Sequence, residues 1–494
     1  MTATSRRPSG DALAVADQPA VEIIETPSLG DRSYVVHLDG SAVVIDPQRD
    51  TDRVLEILQR HSLTVTHVLE THVHNDYVTG GLQLAHDLGA TYVVPSGYEL
   101  RYEAQQVSDG ATFRSGRMSW RAIHTPGHTP QHLSYVVAID GADAAAFTGG
   151  SMLYGSVGRP DLIGPEMTDQ LAHDQWRSVR RLTTEVAGHA GVFPTHGFGS
   201  FCSATATTGL SSTIADQALW NPASLLPEDE FVAELIAGLD AYPAYYAHMA
   251  PANQDGPPRI DLSLPGRADA TELRRRIDAG EWVVDLRQRR VFAAGHLRGS
   301  LSFDAEGNAV TYLAWLIPWG TPVTLLASTE AEITAMQREL VRVGIDRPAA
   351  QNTGSPLDWA RSPEDIARLE VVDFSEVAHQ LSHGQQLLLL DARRQTERDG
   401  GYLDGSRHVP LHDLPERLPE VAGWSRAAAH AGHDPRVWIY CGSGFRAAVA
   451  ASLLERAGVP VVQIDDNFGA AAKAGLTLHF PQQADNRIGE TYTD

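Results

Sequence analysis

The feature that most constrains this chain is an internal duplication in its second half. The segment WVVDLRQRRVFAAGHLRGSLSF (282–303) matches LLLDARRQTERDGGYLDGSRHVP (388–410). At one offset, the aligned residues are Asp285, Arg287, Gly295, Gly299 and Ser300 with Asp391, Arg393, Gly401, Gly405 and Ser406. A period of about a hundred residues predicts two similar domains, not a solenoid. Each copy alternates strand and helix patterns, which predicts a parallel-sheet α/β unit.

Length and composition limit the remaining choices. At roughly 150 residues per domain, 494 residues indicate about three domains. A formal net charge of −23 argues against nucleic acid or an anionic membrane as the main partner, because both require a positive surface. No run reaches ~18 consecutive apolar residues, so we expect no membrane span. Two cysteines cannot build a disulfide framework, which favours a cytoplasmic location.

The sequence divides into a short tail and three expected domains. Residues 1–20 have no apolar signal-peptide core and are expected to form a disordered tail. Short apolar strand patterns and helical patterns alternate in 21–255, which we take as the first domain. The Pro- and Gly-rich stretch 251–266 is predicted to be a linker. The two copies of the duplication define domains at 262–362 and 369–482.

The second copy carries a thiol in a glycine-rich loop. In VWIYCGSGFRAAVAASLLERAG (437–458), a strand pattern ends at Tyr440 and a helical pattern begins near Arg446. The loop residues between them are Cys441, Gly442, Ser443, Gly444 and Phe445. Such a loop before a helix stabilises an anion, so the Cys441 thiolate is expected to be nucleophilic. Arg446 offers fork-like donors for an oxyanion. The alternative is an inert, buried cysteine.

This loop, together with the segment from about 369 to 480, resembles the rhodanese domain. The resemblance implies that Cys441 accepts a sulfane sulfur, becomes a persulfide and passes the sulfur on. In the first copy Ala327 stands at the position of Cys441, and no glycine-rich loop follows. We therefore expect that copy to be a rhodanese-like domain without the chemistry.

Histidines follow apolar runs at several points of the first domain. THVHNDYVTG holds His72, His74 and Asp76; HTPGHTPQH holds His128, and VFPTHGFGSFCS holds His196. Each lies beside a turn, where ligand sites of α/β folds are commonly built. Imidazole suits zinc, iron and copper, and a carboxylate completes such sites. The pattern predicts a metal site.

The same pattern, with the early Asp46 of VVIDP, resembles the metallo-β-lactamase fold over residues 21 to about 215. That resemblance implies an αββα sandwich with the metal at one edge of its sheets. The whole chain resembles multidomain persulfide dioxygenase–sulfurtransferase fusions. The predicted fold class is therefore multidomain α/β, with this sandwich followed by two rhodanese-like domains. In the dioxygenase branch a single iron is held by residues matching His72, His128 and position 150.

This chain departs from that family at two positions. Position 150 is Gly150, so the carboxylate ligand is missing, and Tyr77 replaces a histidine that would help to hold a second metal. His72, His74 and His128 could form a three-histidine site, or Asp76 could restore a two-histidine, one-carboxylate set suited to iron. The third alternative is a domain without metal. We expect mononuclear Fe(II), with zinc as the alternative.

Further residues of the first domain are candidates for substrate contacts. Cys202 follows His196 by six residues and is either a persulfide relay or an inert thiol. Arg159 could hold a substrate carboxylate or cap a turn through Asp161. Tyr77 is either a hydrogen-bond donor in the pocket or a packing residue.

Three functions remain open from the sequence. The first is oxidation of a low-molecular-weight thiol persulfide coupled to sulfur transfer through Cys441, with thiosulfate or sulfite as further substrates. The second is sulfur transfer alone, with a metal-free or zinc-bearing first domain. The third is metal-dependent thioester hydrolysis. The sequence leaves open whether the thiol is glutathione, mycothiol, bacillithiol or coenzyme A, and whether the protein forms a homo-oligomer.

Overall fold

The structure, a computed structural model, describes residues 18–481 apart from positions 206, 208 and 307. Most of the predicted tail, up to residue 17, lies outside the described residues. Ala20 already belongs to the first strand.

The N-terminal part contains two sheets and the helices that flank them. One sheet has the order β1 (Ala20–Thr26), β2 (Asp31–Leu38), β3 (Ser41–Ile45), β4 (Thr64–Leu69), β5 (Thr91–Pro95) and β6 (Gln105–Val107). The other is built from β7 (Thr112–Ser115), β8 (Met118–His124), β9 (Leu133–Ile139), β10 (Ala142–Gly149) and β11 (Gly191–Pro194), with β11 and β7 at its edges. The helices are α1 (Asp52–His61), α2 (Gly81–Leu88), α3 (Pro165–Glu185), α4 (Ile214–Trp220), α5 (Pro222–Leu225), α6 (Glu228–Ala237) and α7 (Tyr246–Asp255).

The two sheets pack face to face with helices on both outer faces. In β2, Tyr34 and Val36 join the core between the sheets, whereas Val35 packs under α1 and α2. This alternation follows from the two-residue period of a strand, and it explains why the apolar run is uninterrupted. Helix α3 covers the outer face of the second sheet. The predicted αββα sandwich is confirmed.

The alternating strands and helices predicted for this part are present. The linker prediction for 251–266 is wrong in its first residues. Residues 251–255 form the end of α7, which stops at Gly256 in a conformation with φ of +87°. Buried Asn253 holds this helix against the sandwich through hydrogen bonds to the backbone of His74, Tyr77 and Thr79. Pro251, which contributed to the linker prediction, therefore lies inside a helix.

The remainder of the chain forms two further α/β units. The middle unit (residues 262–362) and the segment after it contain β12 (Trp282–Asp285), β13 (His296–Leu297), β14 (Leu301–Ser302), β15 (Val323–Ala327), β16 (Ala350–Thr353), β17 (Ile366–Ala367), α8 (Ala270–Asp278), α9 (Arg289–Ala294), α10 (Ala309–Leu316), α11 (Glu330–Arg342) and α12 (Pro356–Trp359). The C-terminal unit contains β18 (Glu370–Val372), β19 (Leu388–Asp391), β20 (Tyr402–Leu403), β21 (Arg407–His408), β22 (Val437–Tyr440), β23 (Val461–Ile464), β24 (Leu478–His479), α13 (Phe374–Ser382), α14 (Gln395–Asp399), α15 (Leu414–His430), α16 (Phe445–Arg456) and α17 (Ala470–Lys473).

The two units share one sheet topology. The parallel order β14-β12-β15-β16 of the middle unit corresponds to β21-β19-β22-β23 of the C-terminal unit. Asp285 pairs with Leu326 across its sheet, as Asp391 pairs with Tyr440. Ala327 therefore occupies the place that Cys441 occupies in the other unit.

A buried ion pair also recurs at the end of the corresponding strands. Arg287 donates through Nη2 to Asp285 at 2.6 Å and to the carbonyl of Gly295 at 2.9 Å. Arg393 donates to Asp391 at 2.7 Å and to the carbonyl of Gly401 at 2.8 Å. The aligned Asp, Arg and Gly residues of the duplication thus fix the same turn in both units.

No helix within the described residues is long and apolar enough to cross a membrane.

The middle unit is bound to the N-terminal part by a buried ion pair. Arg342, at the end of α11, donates through Nη2 to Asp50 at 2.6 Å, and the side chains are 5% and 0% exposed. The carbonyl of Arg342 accepts a hydrogen bond from the N–H of Val78 at 2.7 Å. Val78 directly follows the HVHNDY segment, so the middle unit fixes the end of the histidine-bearing loop.

Replacing Arg342 with leucine leaves the buried Asp50 carboxylate with Arg53 at 2.8 Å and the more distant Arg338 at 3.6 Å. We expect Arg342→Leu to cost about 3–5 kcal/mol of stability. Arg338→Leu is the matched control on the same helix. Arg338 pairs with half-exposed Asp52 at 2.6 Å and lies 3.6 Å from Asp50, so its loss is expected to cost about 1 kcal/mol or less. Urea unfolding of both variants measures the difference. Equal costs would show that the buried pair does not hold the interface.

Candidate metal centre and thiol loop

His72 follows strand β4 and is fixed through its Nδ1 atom. Nδ1 donates to the hydroxyl of Thr71 at 2.9 Å, and that hydroxyl donates to Asp46 Oδ2 at 2.8 Å. The N–H of Thr71 donates to the other oxygen of Asp46 at 2.7 Å. This arrangement leaves the Nε2 lone pair of His72 directed away from Asp46.

His128 lies in the loop after β8 and is fixed in the same manner. Its Nδ1 donates to the backbone carbonyl of Arg159 at 2.9 Å. Its Nε2 is buried and has no hydrogen-bond partner among the described residues. A buried ring nitrogen whose lone pair has no hydrogen-bond partner is suited to bind a metal ion.

His196 follows β11 and completes the group. Its Nδ1 donates to Asp31 at 2.9 Å and lies 3.3 Å from Asp76 Oδ2. Its Nε2 lies 3.3 Å from Nε2 of His72. One nitrogen each of His72, His128 and His196 lies within 4.8 Å of the others, and all three side chains are buried.

The pKa of His196 is shifted in the opposite direction from the pKa values of His72 and His128. Burial and the neighbouring histidines hold the pKa of His72 well below its usual value, and burial with His196 lowers the pKa of His128 to about 3. Burial also disfavours charge on His196, but Asp76 and Asp31 raise its pKa to about 10. Two neutral imidazoles therefore face a third that shares its proton with carboxylates.

These residues fit a metal ion. Each histidine has its Nδ1 engaged by an oxygen, and the free nitrogens converge. Such outer hydrogen bonds fix the tautomer and orientation of metal-bound histidines. Three histidines with an open position suit zinc, and imidazole also suits iron. A cation here would replace the proton of His196.

Gly150 shows why the expected carboxylate ligand is absent. A Cβ atom at this position would lie 2.3 Å from Cδ2 of His128, so the imidazole fills the space of a side chain. The N–H of Gly150 donates to Nε2 of His132 at 3.0 Å. The set His72, His128 and a residue-150 carboxylate does not fit this chain. His132, which the sequence analysis did not single out, supports the Gly150 backbone.

His74 and Tyr77 belong to a neighbouring network. His74 Nε2 lies 2.9 Å from the Tyr77 hydroxyl and 3.3 Å from both Asp46 and Glu70. Burial opposes charge on His74, yet Asp46 and Glu70 raise its pKa to about 9. The Tyr77 hydroxyl donates to the carbonyl of Asp46 at 3.2 Å.

The three-histidine set predicted from sequence therefore has a different third member. His196, and not His74, joins His72 and His128, while His74 groups with Asp46 and Glu70 or with Asp76 and His196. Neither carboxylate oxygen of Asp76 has a hydrogen-bond partner among residues 18–481 as described. Glu70 was missed because a glutamate at a strand end carries no signal of its own.

The helix α7 contributes one further residue that the sequence analysis missed. Asn253 donates to the carbonyls of His74 and Tyr77 at 2.9 Å each. Its Oδ1 accepts from the N–H of Thr79 at 2.9 Å. Asn253 thus fixes the loop after His74 from a segment that the composition marked as a linker.

Cys202 and Arg159 lie between this cluster and the other units. Burial, with Asp76 and Asp31 nearby, raises the pKa of Cys202 well above its usual value, so this thiol stays protonated. Arg159 donates through Nε to Asp161 at 2.6 Å and through Nη2 to the carbonyl of Asp240 at 2.6 Å. The geometry favours the turn-capping alternative for Arg159 over a free substrate contact.

The thiol loop of the C-terminal unit has the geometry that its sequence predicts. Cys441 directly follows β22 and is buried, and α16 begins at Phe445. The N–H of Gly444 points to Cys441 Sγ at 3.1 Å. Gly444 has φ of +94°, a conformation that favours glycine. The loop therefore places a backbone N–H donor against the sulfur, beside the N-terminus of α16.

Arg446 is next to this loop but is already paired. Its Nη1 and Nη2 donate to the two oxygens of Glu397 at 2.5 and 2.6 Å. Burial opposes charge on Glu397, but Arg446 lowers its pKa to about 2. Arg446 therefore holds α14 against the loop, and the oxyanion donors expected of it are engaged by Glu397.

Restoring the carboxylate at position 150 is a direct test of this geometry. We expect Gly150→Asp to lose metal, because any Cβ there displaces His128. Gly150→Ala adds the same Cβ without a ligand and is the matched control. Metal content per chain, measured after anaerobic purification, is expected to fall equally in both variants. Higher metal content in Gly150→Asp than in wild type would contradict the steric account.

Comparison with known proteins identifies the two regions in which these candidate sites lie. Residues 30–196 match the model of the metallo-beta-lactamase superfamily, and residues 374–468 match the rhodanese-like domain. The hydroxyacylglutathione hydrolase of Methylococcus capsulatus is 34% identical over 167 residues, which are 33% of this chain and 61% of the hydrolase. The mitochondrial persulfide dioxygenase ETHE1 of Homo sapiens is 27% identical over 238 residues, 48% of this chain and 80% of the dioxygenase.

A solved structure extends the likeness in fold. The metallo-beta-lactamase from Staphylococcus aureus subsp. aureus COL has a TM-score of 0.62 at 23% identity and covers 68% of this chain and 100% of its own. The rhodanese-like character of the middle unit stays a prediction, because the rhodanese match covers the C-terminal unit. The chain therefore has an N-terminal region that matches the metallo-beta-lactamase superfamily and has persulfide dioxygenase homologues, followed by a C-terminal region that matches the rhodanese-like domain.

Proposed function

We propose that this enzyme oxidises a low-molecular-weight thiol persulfide at the N-terminal metal centre and transfers sulfane sulfur through Cys441. The convergence of the free nitrogens of His72, His128 and His196 carries the first part of the proposal. The likeness to persulfide dioxygenases and the rhodanese match support the pairing of the two activities in sulfur metabolism.

The metal is proposed to be a single Fe(II) held by His72, His128 and His196. Bound iron would supply the activation of dioxygen, so that persulfide, dioxygen and water give sulfite and the free thiol. Zinc is the alternative, because the same three nitrogens suit it. The chain itself orients the histidines through Thr71 and the carbonyl of Arg159, and it excludes water by burial.

We propose that Asp31 and Asp76 control the protonation of His196. Both carboxylates face its Nδ1 side, so they stabilise the imidazole in the orientation that leaves Nε2 toward the metal. Burial and Asp76 raise the pKa of Asp31 to about 8, which makes Asp31 a site able to hold a proton near neutral pH. These two residues support a ligand and do not themselves contact the substrate.

Transfer at Cys441 requires the thiol loop, a sulfur donor and an acceptor thiol. The Cys441 thiolate attacks the outer sulfur of thiosulfate, the sulfur–sulfur bond breaks, and sulfite leaves with the electron pair. An acceptor thiolate then attacks the outer sulfur of the Cys441 persulfide and regenerates the Cys441 thiolate. The N–H of Gly444 stabilises the anionic sulfur in both steps.

The middle unit is proposed to be a second rhodanese-like domain without transfer chemistry. Its sheet order and its Asp285–Arg287 pair correspond to those of the C-terminal unit. Ala327 at the register of Cys441 offers no nucleophile. The unit then serves to position its neighbours.

Sulfur transfer alone is the second candidate, and Gly150 favours it because the dioxygenase-type ligand set cannot form. Thioester hydrolysis, the activity in the name of the Methylococcus relative, is supported less. Tyr77 stands where a second metal would need a histidine, and its hydroxyl is engaged by His74 and Asp46.

Two single variants separate these functions. We expect His72→Ala to lose its metal and the oxygen consumption with a thiol persulfide, while thiosulfate-dependent sulfur transfer persists. Cys441→Ser is expected to abolish the transfer and to keep metal and oxygen consumption. Metal analysis, an oxygen electrode and a sulfurtransferase assay measure the outcomes. Wild-type protein that transfers sulfur but binds no iron would establish the second candidate.

A further inference from the structure

A cleft of about 1220 Å³ lies where the three parts of the chain meet. The N-terminal part contributes residues 197–201, which directly follow His196. The middle unit contributes Arg289 and Tyr312, and the C-terminal unit contributes Ser443 and Phe445 of the thiol loop. One cleft thus borders both the loop that leaves the metal centre and the loop that holds Cys441.

The cleft is lined by equal numbers of arginines and carboxylates. Its arginines are Arg159, Arg289, Arg394 and Arg446, and its carboxylates are Asp240, Asp304, Glu306 and Glu397. Arg159 and Arg446 are fully paired with Asp161 and Glu397. Arg289 is paired with Asp465 through Nε, and its Nη1 lies 3.4 Å from Asp304. A polyphosphate would meet as many carboxylates as arginines, whereas a ligand with both carboxylate and ammonium groups complements such a lining.

Arg289 brings the middle unit to the thiol loop. Its Nε donates to Asp465 at 2.7 Å, and its Nη2 lies 3.5 Å from the carbonyl of Ser443. A Cβ atom at Gly444 would lie 1.9 Å from Asp465 Oδ1 and 3.2 Å from Nε of Arg289. The Arg289–Asp465 pair is therefore packed directly on the loop, with the Nη2 edge toward the cleft.

Arg394 has longer contacts to carboxylates than the other arginines of the cleft. Its Nε lies 3.6 Å from Glu397 and 3.9 Å from Asp240, and its side chain is 34% exposed. Its guanidinium lies over the ring of Phe201, 5.3 Å from the centroid. The rings of Phe201 and Phe445 both contact Tyr312, which gives the cleft an apolar floor.

We propose that this cleft binds the body of an amino-acid-derived thiol that carries the sulfane sulfur. Arg289 and Arg394 bind its carboxylates, the exposed Glu306 receives its ammonium group, and its apolar stem packs on Tyr312. This rests on the proposed function for the identity of the sulfur carrier. The middle unit, which lacks a thiol, thereby supplies a specificity-determining residue to a site shared by two activities.

The neighbouring arginines of α9 provide a matched test. Arg289 and Arg290 both pair with Asp465, but Arg290 is 65% exposed and lines a separate pocket between the middle and C-terminal units. Titration calorimetry with reduced glutathione measures binding without oxidation or transfer. Arg289→Gln is expected to weaken binding about tenfold through a lost charge-assisted contact. Arg290→Gln is expected to bind as wild type does.

Equal weakening in both variants would overturn the proposal, because it would show that the Asp465 pairing is only structural. Absence of glutathione binding to wild type, or tighter binding of coenzyme A than of glutathione, would also overturn it. These results are independent of the proposed activities. If the wild-type protein contains no iron as purified and still binds glutathione through Arg289, persulfide oxidation would be refuted and the cleft assignment would stand.

Discussion

The N-terminal site depends on one buried carboxylate, Asp46. It accepts hydrogen bonds from the N–H and hydroxyl of Thr71 and from the hydroxyl of Thr195, and it faces His74. Burial would raise the pKa of Asp46, but His74 and the two threonines lower it, so the carboxylate stays charged. Through Thr71 and Thr195 this charge fixes the loops that present His72 and His196. An ionised group at zero exposure is tolerated only because its partners are all in place.

The two duplicated units differ in what they contribute: one carries the thiol, and the other contacts both neighbouring parts. Both use the same parallel sheet and the same Asp–Arg turn, yet Cys441 is present in only one of them. The copy with Ala327 contacts both chemical centres, through the carbonyl of Arg342 at the histidine loop and through Arg289 at the thiol loop. The copy without the nucleophile therefore contacts both of the other parts and helps to hold them in position.

The sequence predicted those features that depend on local patterns. Apolar strand runs, the duplication and the Cys441 loop led to the sandwich, the α/β units and the thiol site. It could not show that the His128 ring fills the space beside Gly150, because that contact joins distant loops. His196 was among the predicted metal residues, but the sequence could not show that it groups with His72 and His128 while His74 groups with Asp46 and Glu70. The helical Pro251 misled because tertiary packing overrode a local breaker signal.

The central claim is that three histidine nitrogens, and no residue-150 carboxylate, hold one metal ion in this chain. X-ray absorption at the metal edge, on protein purified without oxygen, tests it most directly. We predict one iron per chain, coordinated by three imidazoles. Replacing His74 with glutamine is expected to leave these three ligands unchanged. A metal-free protein, or a spectrum that loses an imidazole in that His74 variant, would contradict it.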